Sequence, residues 1–373
     1  MGTKGSKEQL NSSSTTNLPP PMPQVSRARA NSDVPAPFER QKTARKATNY
    51  SLTSSHARKN SLELTFRDGP PAGTTAVDSI SLLRSSILSS GVTATKEGLS
   101  DYRIYLWLAL LNIGPFSTDQ YLAFIHRGQS PAYDKIHQDV FRTLATDALF
   151  QRRVTNASLT RVLNATAWRI HDEQNSTNPP PATNQTLYVQ GVNVLSAPLL
   201  YASRSESQAY SLLTCLLTTY IPTYISPTMS GVHAGLELID RILLDREPNL
   251  AAFLQEKHKL PAKIYAFPSV LTLCACTPPL PEVLKLWDFL FAFGVHLNII
   301  CVVAQLVLMK QKLYDSPSPG KLLRSFPQLD AGKIIQVTLG IAKDMDEACT
   351  PKWLGMERGL SRSRGVPAER LGR

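Results

Sequence analysis

Apolar residues recur at helical spacing from about Thr93 to Ala348, and this periodicity constrains the fold more than any other feature of the chain. Proline, glycine and asparagine interrupt the runs, and few stretches alternate between polar and apolar residues as strands do. We therefore predict an all-α, multi-helix domain over residues 93–348. Because 42% of the 373 residues are apolar, the chain can fill a sizeable core.

Within this domain the periodicity predicts individual helices. One carries Ile104, Trp107, Leu108 and Leu111 on a single stripe. A predicted helix over 158–170 opens on a serine cap and precedes a polar, proline-broken loop. That loop covers residues 172–186, and the other predicted helices cover residues 134–144, 197–202, 206–220, 230–244, 249–256, 281–293 and 296–312.

The most apolar stretch, residues 289–309, holds no charged side chain and is long enough to cross a membrane. However, His296, Asn298 and Gln305 would be polar at membrane depth, and Gly294 is a natural boundary between two helices. We expect two buried helices that meet near Gly294, and no membrane span. A membrane-anchored adaptor that uses this stretch, or Gly2 within the N-myristoylation pattern of residues 1–6, stays open as an alternative.

The two ends of the chain differ from the domain in composition. Residues 1–75 hold 19 serine or threonine and 8 proline residues, with too little apolar area to offset the entropy of ordering. We predict a disordered arm over residues 1–92 and a disordered tail over residues 349–373. The net charge of +11 is concentrated in these ends, since residues 1–75 carry +6 and the tail carries +4. The nearly neutral domain gives no electrostatic reason to expect nucleic-acid binding.

Several classes of site are missing from the sequence. The chain has no phosphate-binding glycine loop, no nucleophile elbow and no His-Glu-x-x-His helix. Cys274 and Cys276 have no second Cys/His pair nearby, so we interpret them as buried thiols rather than zinc ligands. Five cysteines and a start unlike a secretory signal indicate a reducing, intracellular compartment. We therefore expect no stand-alone enzyme, no cofactor and no metal.

Three short motifs follow one another in the helical domain. They are R-x-x-x-W at Arg103 and Trp107, I-x-x-D-x-x-R at Ile136, Asp139 and Arg142, and Y-x-Q-G at Tyr188, Gln190 and Gly191. In this order they resemble the signature of the TBC domain, the helical module of GTPase-activating proteins for Rab-like small GTPases. The resemblance runs from about residue 100 to 313. Its second half is similar to the fungal mitotic-exit branch of that family, over residues 188–193, 264–268, 278–290 and 293–305.

The resemblance implies a protein that accelerates GTP hydrolysis by a partner, a Ras-superfamily small GTPase. Arg142 would neutralise charge in the transition state, and Gln190 would position the attacking water. GTP and Mg²⁺ would come with the partner. The fungal branch further implies a scaffold subunit in a two-component activator, and a cytoplasmic protein concentrated at the spindle pole body that restrains mitotic exit and septation.

The other motif residues are expected to support these two. Asp139 lies three positions before Arg142 and would orient the guanidinium, while Ile136 completes the motif. Gly191 would allow a positive φ or a close backbone approach, and Tyr188 would anchor the loop by packing. For the first motif we expect a role in the fold: Arg103 would pair with an interior carboxylate, and Trp107 would pack in the core.

Two alternatives stay open at this point. On an arbitrary helix, Asp139 and Arg142 would form an ordinary surface ion pair. The whole chain could also be a catalytically silent TBC scaffold that binds a GTPase or a partner subunit without accelerating hydrolysis.

Overall fold

The computed structural model describes residues 61–69, 73–114, 118–176 and 185–343. Within these ranges every regular element is a helix and none of the residues lies in a β-strand, which confirms the all-α prediction. The predicted tail, and the first 60 residues of the predicted arm, lie outside the described residues.

The first half of the described chain holds nine α-helices. They are α1 Ser61–Asp68, α2 Ala76–Ser90, α3 Arg103–Leu110, α4 Thr118–His126, α5 Tyr133–Val140, α6 Ala148–Arg153, α7 Asn156–Ser176, α8 Val192–Ala202 and α9 Glu206–Cys215. A π-helical turn, Leu216–Tyr220, continues α9, and a 3-10 turn, Pro222–Ile225, follows it.

Nine further α-helices complete the described chain. They are α10 Ser230–Arg246, α11 Pro248–Ala251, α12 Ala262–Tyr265, α13 Phe267–Leu271, α14 Leu280–Phe293, α15 Asn298–Leu308, α16 Lys310–Asp315, α17 Pro319–Arg324 and α18 Ala331–Lys343. A π-helical turn, Ala252–Lys257, follows α11, and a 3-10 turn, Val295–Leu297, joins α14 to α15.

Helix α2 packs against α14, although sequence analysis assigned this part of the chain to the disordered arm. Leu83 and Ile87 are buried, and Thr75 and Asp78 form a capping box at the start of the helix. The prediction that residues 61–92 are disordered is therefore wrong for α1 and α2. A narrow apolar stripe and a cap are sufficient once a neighbouring helix supplies a surface to pack on.

Helix α5 is shorter than the predicted segment 134–144. It ends at Val140, where the Arg142 amide donates to the Asp139 carbonyl at 3.3 Å and the Thr143 amide donates to the Val140 carbonyl at 3.1 Å. These bonds span three residues instead of four and tighten the chain into a turn. Arg142 therefore lies two residues past the end of the helix and not on a helix face.

Helix α7 extends beyond the predicted segment 158–170 at both ends. The side chains of Thr155 and Ser158 accept hydrogen bonds from each other's backbone amides, at 3.1 and 3.2 Å. Thr155 is therefore the cap, and Ser158 lies in the first turn. At the other end the helix continues to Ser176, into the predicted loop over 172–186.

The apolar stretch 289–309 forms parts of α14 and α15, as predicted. Helix α14 ends at Gly294. Its φ of 127° is a backbone conformation that favours glycine, and a Cβ at this position would overlap the His296 ring. Helix α15 packs against α10, α13 and α18, so its apolar side chains lie in the core. Among the described residues, no helix is both long enough and apolar enough to cross a membrane.

A buried ion pair joins α3 to α14. Arg103 Nε and Nη2 each lie 2.9 Å from a carboxylate oxygen of Asp288, and the Trp107 indole N–H donates to the same carboxylate at 2.8 Å. The Trp107 ring packs against Trp287 and Phe291. These contacts confirm that Arg103 pairs with an interior carboxylate and that Trp107 packs in the core.

Candidate functional site

Arg142 combines an exposed cation with a buried anchor. Its side chain is 50% exposed in the turn after α5, and its guanidinium forms an ion pair with the carboxylate of Asp139. Asp139 lies in the last turn of α5, and its side chain is only 6% exposed. Because the carboxylate is fixed in the helix, it restricts the directions in which the arginine can point.

A second group of hydrogen bonds joins the same carboxylate to the loop before α8. The Tyr188 hydroxyl donates to Asp139 Oδ2 at 2.7 Å and lies 3.2 Å from Asn193 Oδ1. Asn193 Oδ1 accepts a hydrogen bond from the Gly191 amide at 2.9 Å, and Asn193 Nδ2 donates to Thr143 Oγ1 at 2.8 Å. We call these four side chains and the Gly191 amide the finger network. They connect the turn of Arg142 to the loop of Gln190, the two residues that the sequence resemblance proposes as catalytic fingers, which are side chains inserted into a partner's active site.

The Tyr188 hydroxyl remains protonated within this network. Burial raises the pKa of Tyr188 above its ordinary value, and the hydrogen bond to Asp139 raises this pKa further. A protonated phenol acts as a donor to the carboxylate, so Tyr188 holds the two segments together and takes no part in proton transfer near neutral pH. This role goes beyond the packing role expected from the sequence.

Gly191 forms the turn from which α8 begins. Its φ is 113°, which confirms the expected positive φ. A Cβ at this position would lie 2.6 Å from Leu271 Cδ2, so the close approach is to a side chain rather than to a backbone. The turn presents the neighbouring Gln190 to solvent.

Arg142 and Gln190 line one open groove with a volume of about 760 Å³. Its walls are mainly apolar and include Val189 from the loop before α8, and Phe267 and Leu271 from α13. Both candidate side chains are exposed at its edge, although they are far apart along the chain. A partner that entered the groove would meet a fixed cation and a carboxamide together.

The remaining residues proposed from the sequence occupy other places. Ile136 is completely buried in α5, and Arg103 and Trp107 belong to the contact between α3 and α14, away from the groove lining. Cys274 is buried as expected, and burial raises the pKa of its thiol. The interpretation of Cys276 as a buried thiol is wrong, since this residue is half-buried and lines the groove.

Sequence analysis gave no role to Thr143 and Asn193, which complete the finger network. Both are buried, at 1% and 4% exposure. One sequence signal could have identified Asn193, which is a polar residue between Val192 and Val194 in an apolar helix. Buried polar groups need hydrogen-bond partners, so a polar residue in such a place indicates a hydrogen bond to another part of the chain. Among the described residues, no group of His, Cys, Asp and Glu side chains is arranged to hold a metal ion.

Comparisons with known proteins cover most of the helical domain. Residues 100–314 match the Rab-GTPase-TBC domain family. Cell division control protein 16 of Schizosaccharomyces pombe is 44% identical over 70% of this chain and 82% of its own length. The mitotic check point protein BUB2 of Saccharomyces cerevisiae is 43% identical over 71% of this chain and 88% of its own length. The solved Ypt/Rab-GAP domain of Gyp1p shares the fold, with a TM-score of 0.56 at 17% identity over 70% of this chain and 91% of that domain.

Proposed function

Because this chain belongs to the Rab-GTPase-TBC domain family, we propose that it is a GTPase-activating protein for a Ras-superfamily small GTPase. In this proposal Arg142 and Gln190 act on the GTP that the partner holds. The observation that carries the proposal is that both side chains line one open groove and that the finger network joins the segments that carry them.

Arg142 supplies positive charge to the reaction. During hydrolysis, negative charge spreads over the oxygens of the phosphoryl group that is transferred. An arginine inserted from another protein stabilises this charge and raises the rate of hydrolysis roughly 10³- to 10⁵-fold. The guanidinium is permanently charged and offers a planar fork of donors. Its ion pair with Asp139 orients it before the partner docks, so less ordering is required in the complex.

Gln190 positions the attacking water. A carboxamide has one acceptor oxygen and two donor hydrogens, so it can hold a water and a phosphoryl oxygen at the same time. The turn at Gly191 and the hydrogen bond of its amide to Asn193 fix the backbone beside Gln190. The chain supplies no nucleotide or metal in this scheme, since GTP and Mg²⁺ arrive with the GTPase.

We also propose that the GTPase belongs to the control of mitotic exit and septation. Support comes from the names and the coverage of the two fungal relatives, which match this chain over more than four fifths of their own length. The sequence resemblance extends this proposal to a scaffold subunit that completes the activator and to a location at the spindle pole body.

Single-turnover hydrolysis tests the catalytic assignment. The full chain, with and without its scaffold, is mixed with GTP-loaded Rab-like GTPases, and phosphate release is followed. We expect Arg142→Ala to reduce kcat by about 10³-fold or more, and Gln190→Ala to reduce it by about 10²-fold. Arg152→Ala is a matched control, because Arg152 forms an exposed surface pair with Glu97 and does not line the groove.

Two results would contradict the proposal in different ways. If Arg142→Ala or Gln190→Ala accelerates hydrolysis to the same extent as the wild-type chain does, the substituted residue has no catalytic role. If the wild-type chain binds a GTP-loaded GTPase but leaves its hydrolysis rate unchanged in the presence of the scaffold, the silent-scaffold alternative is correct.

A further inference from the structure

Three aromatic rings follow one side of α5 into the turn that carries Arg142. Tyr133, His137 and Phe141 are spaced four residues apart, so they lie on one side of the helix and its extension. The rings of Tyr133 and His137 stack, with centroids 5.9 Å apart and planes 11° from parallel. All three residues line a second groove, between α5 and α7. We call them the aromatic stripe.

Phe141 is the unusual member of the stripe. Its side chain is 66% exposed, although the residues on either side of the Phe141–Arg142 pair, Val140 and Thr143, are almost completely buried. The Thr143 hydroxyl also donates to the Asp139 carbonyl at 3.0 Å, which fixes the turn. A large apolar ring is thus held in water on a rigid piece of backbone. Such a group gains free energy when a partner covers it, and little ordering is needed because its backbone is already fixed.

We propose that the aromatic stripe is a docking surface for the small GTPase on which the fingers act, with Phe141 as its anchor. The inference rests on the proposed function. Phe141 and Arg142 are consecutive, so their Cα atoms are about 3.8 Å apart. Although Arg142 and Phe141 line different grooves, a GTPase whose phosphates reach the guanidinium lies over this turn and within reach of the exposed ring. The partner surface that fits is an apolar patch beside the nucleotide site.

Covering the ring has a consequence for the arginine. An aromatic anchor surrounded by closely packed contacts excludes water from the centre of an interface. With water displaced beside it, the Arg142 guanidinium interacts more strongly with phosphate oxygens than it does in bulk solvent. Phe141 is thus a docking residue. It binds the GTPase and keeps water away from Arg142, and it does not touch the reacting atoms.

Equilibrium binding tests the inference without relying on catalysis. The probe is a set of recombinant Rab-like GTPases loaded with a non-hydrolysable GTP analogue, and the GTPase that binds the wild-type full chain most tightly is used. We expect Phe141→Ala to weaken binding by about tenfold and Phe141→Leu to retain most of the affinity. Leu244→Ala is the matched control, because Leu244 is 58% exposed on α10 and lines neither groove.

The hydrolysis assay gives a second readout. Phe141→Ala should raise KM by about the same factor as it raises Kd, and kcat at saturation should fall by a smaller factor, because the fingers remain in place while water returns beside Arg142. Thermal unfolding of each variant checks that the folded state is intact.

The inference is wrong if Phe141→Ala binds the analogue-loaded GTPase as tightly as Leu244→Ala does, or if it weakens binding only to the scaffold. Failure of the proposed function looks different, because a chain that does not accelerate hydrolysis still reports the loss of affinity in the binding assay.

Discussion

Replacing Tyr188 by phenylalanine removes one oxygen atom from the centre of the finger network. That oxygen donates to Asp139 Oδ2 at 2.7 Å and lies 3.2 Å from Asn193 Oδ1, while the ring itself is buried. The substitution keeps the ring and its packing. It therefore isolates one of the hydrogen bonds that connect the Arg142 turn to the loop of Gln190.

The expected loss of stability follows from the charge of the acceptor. A hydrogen bond to a charged group contributes roughly 1.5–3 kcal/mol, and a buried carboxylate that loses its donor has no water to replace it. The free energy of unfolding should fall by about this amount, which lowers the unfolding midpoint by roughly 3–10 °C. Because the turn and the loop then lose one of the links that the finger network makes between them, kcat should fall by about 10- to 100-fold.

Urea unfolding followed by circular dichroism measures the stability, and single-turnover hydrolysis at a temperature where all variants are folded measures kcat. Tyr265→Phe is the matched control. The Tyr265 hydroxyl is also buried, but it has no hydrogen-bond partner among the residues that the structure describes. Removing it breaks no such bond and should leave stability unchanged or slightly higher.

Two outcomes would refute the reasoning. If Tyr188→Phe is as stable as Tyr265→Phe, the hydrogen bond to Asp139 has no net energetic value. If Tyr188→Phe loses stability but retains the wild-type kcat, the finger network stabilises the fold without positioning the fingers.

Two further substitutions test the ion pair between α3 and α14 and the turn at Gly191. Arg103→Ala leaves the Asp288 carboxylate unpaired in the core and should cost about 3–5 kcal/mol in urea unfolding; a loss below about 1 kcal/mol would contradict this account of the pair. Gly191→Ala strains a positive φ and overlaps the Leu271 side chain, so we expect a loss of about 1–3 kcal/mol and a lower kcat. Gly340→Ala, where a Cβ meets no atom within 4 Å, should leave kcat unchanged; equal kcat in both variants would exclude a positioning role for the turn.

The parts of the fold that sequence analysis predicted correctly depend on local signals. Gly294 ends one helix and begins the next because its own conformation requires a glycine, and the apolar period on each side is visible in the sequence. The helix α2 was missed because its serine-rich sequence continues the composition of the arm, and the helix buries few side chains, Leu83 and Ile87. Its helical state depends on α14, almost 200 residues later, and no local pattern contains that contact.

The candidate site was predictable in its residues but not in its connections. Motif resemblance selected Arg142 and Gln190, and the spacing of Asp139 suggested an ion pair. The spacing argument assumed a helix face, whereas the pair forms across a turn after the end of α5. The hydrogen bonds of Asn193 cross from α8 to that turn, and the type of a polar residue does not indicate which distant group it binds.

The two oxygens of the Asp139 carboxylate connect the segments that carry Arg142 and Gln190. Oδ1 accepts from the Arg142 guanidinium, and Oδ2 accepts from the Tyr188 hydroxyl, so one group receives a donor from each finger segment. An asparagine has only one acceptor oxygen, and whichever way its amide is turned its NH₂ group would face a donor. A carboxylate is thus the short side chain that accepts from both segments at once. Because the carboxylate is buried in α5, it joins the turn of the exposed Arg142 to the loop of Tyr188 and the exposed Gln190 at one fixed point beneath the surface.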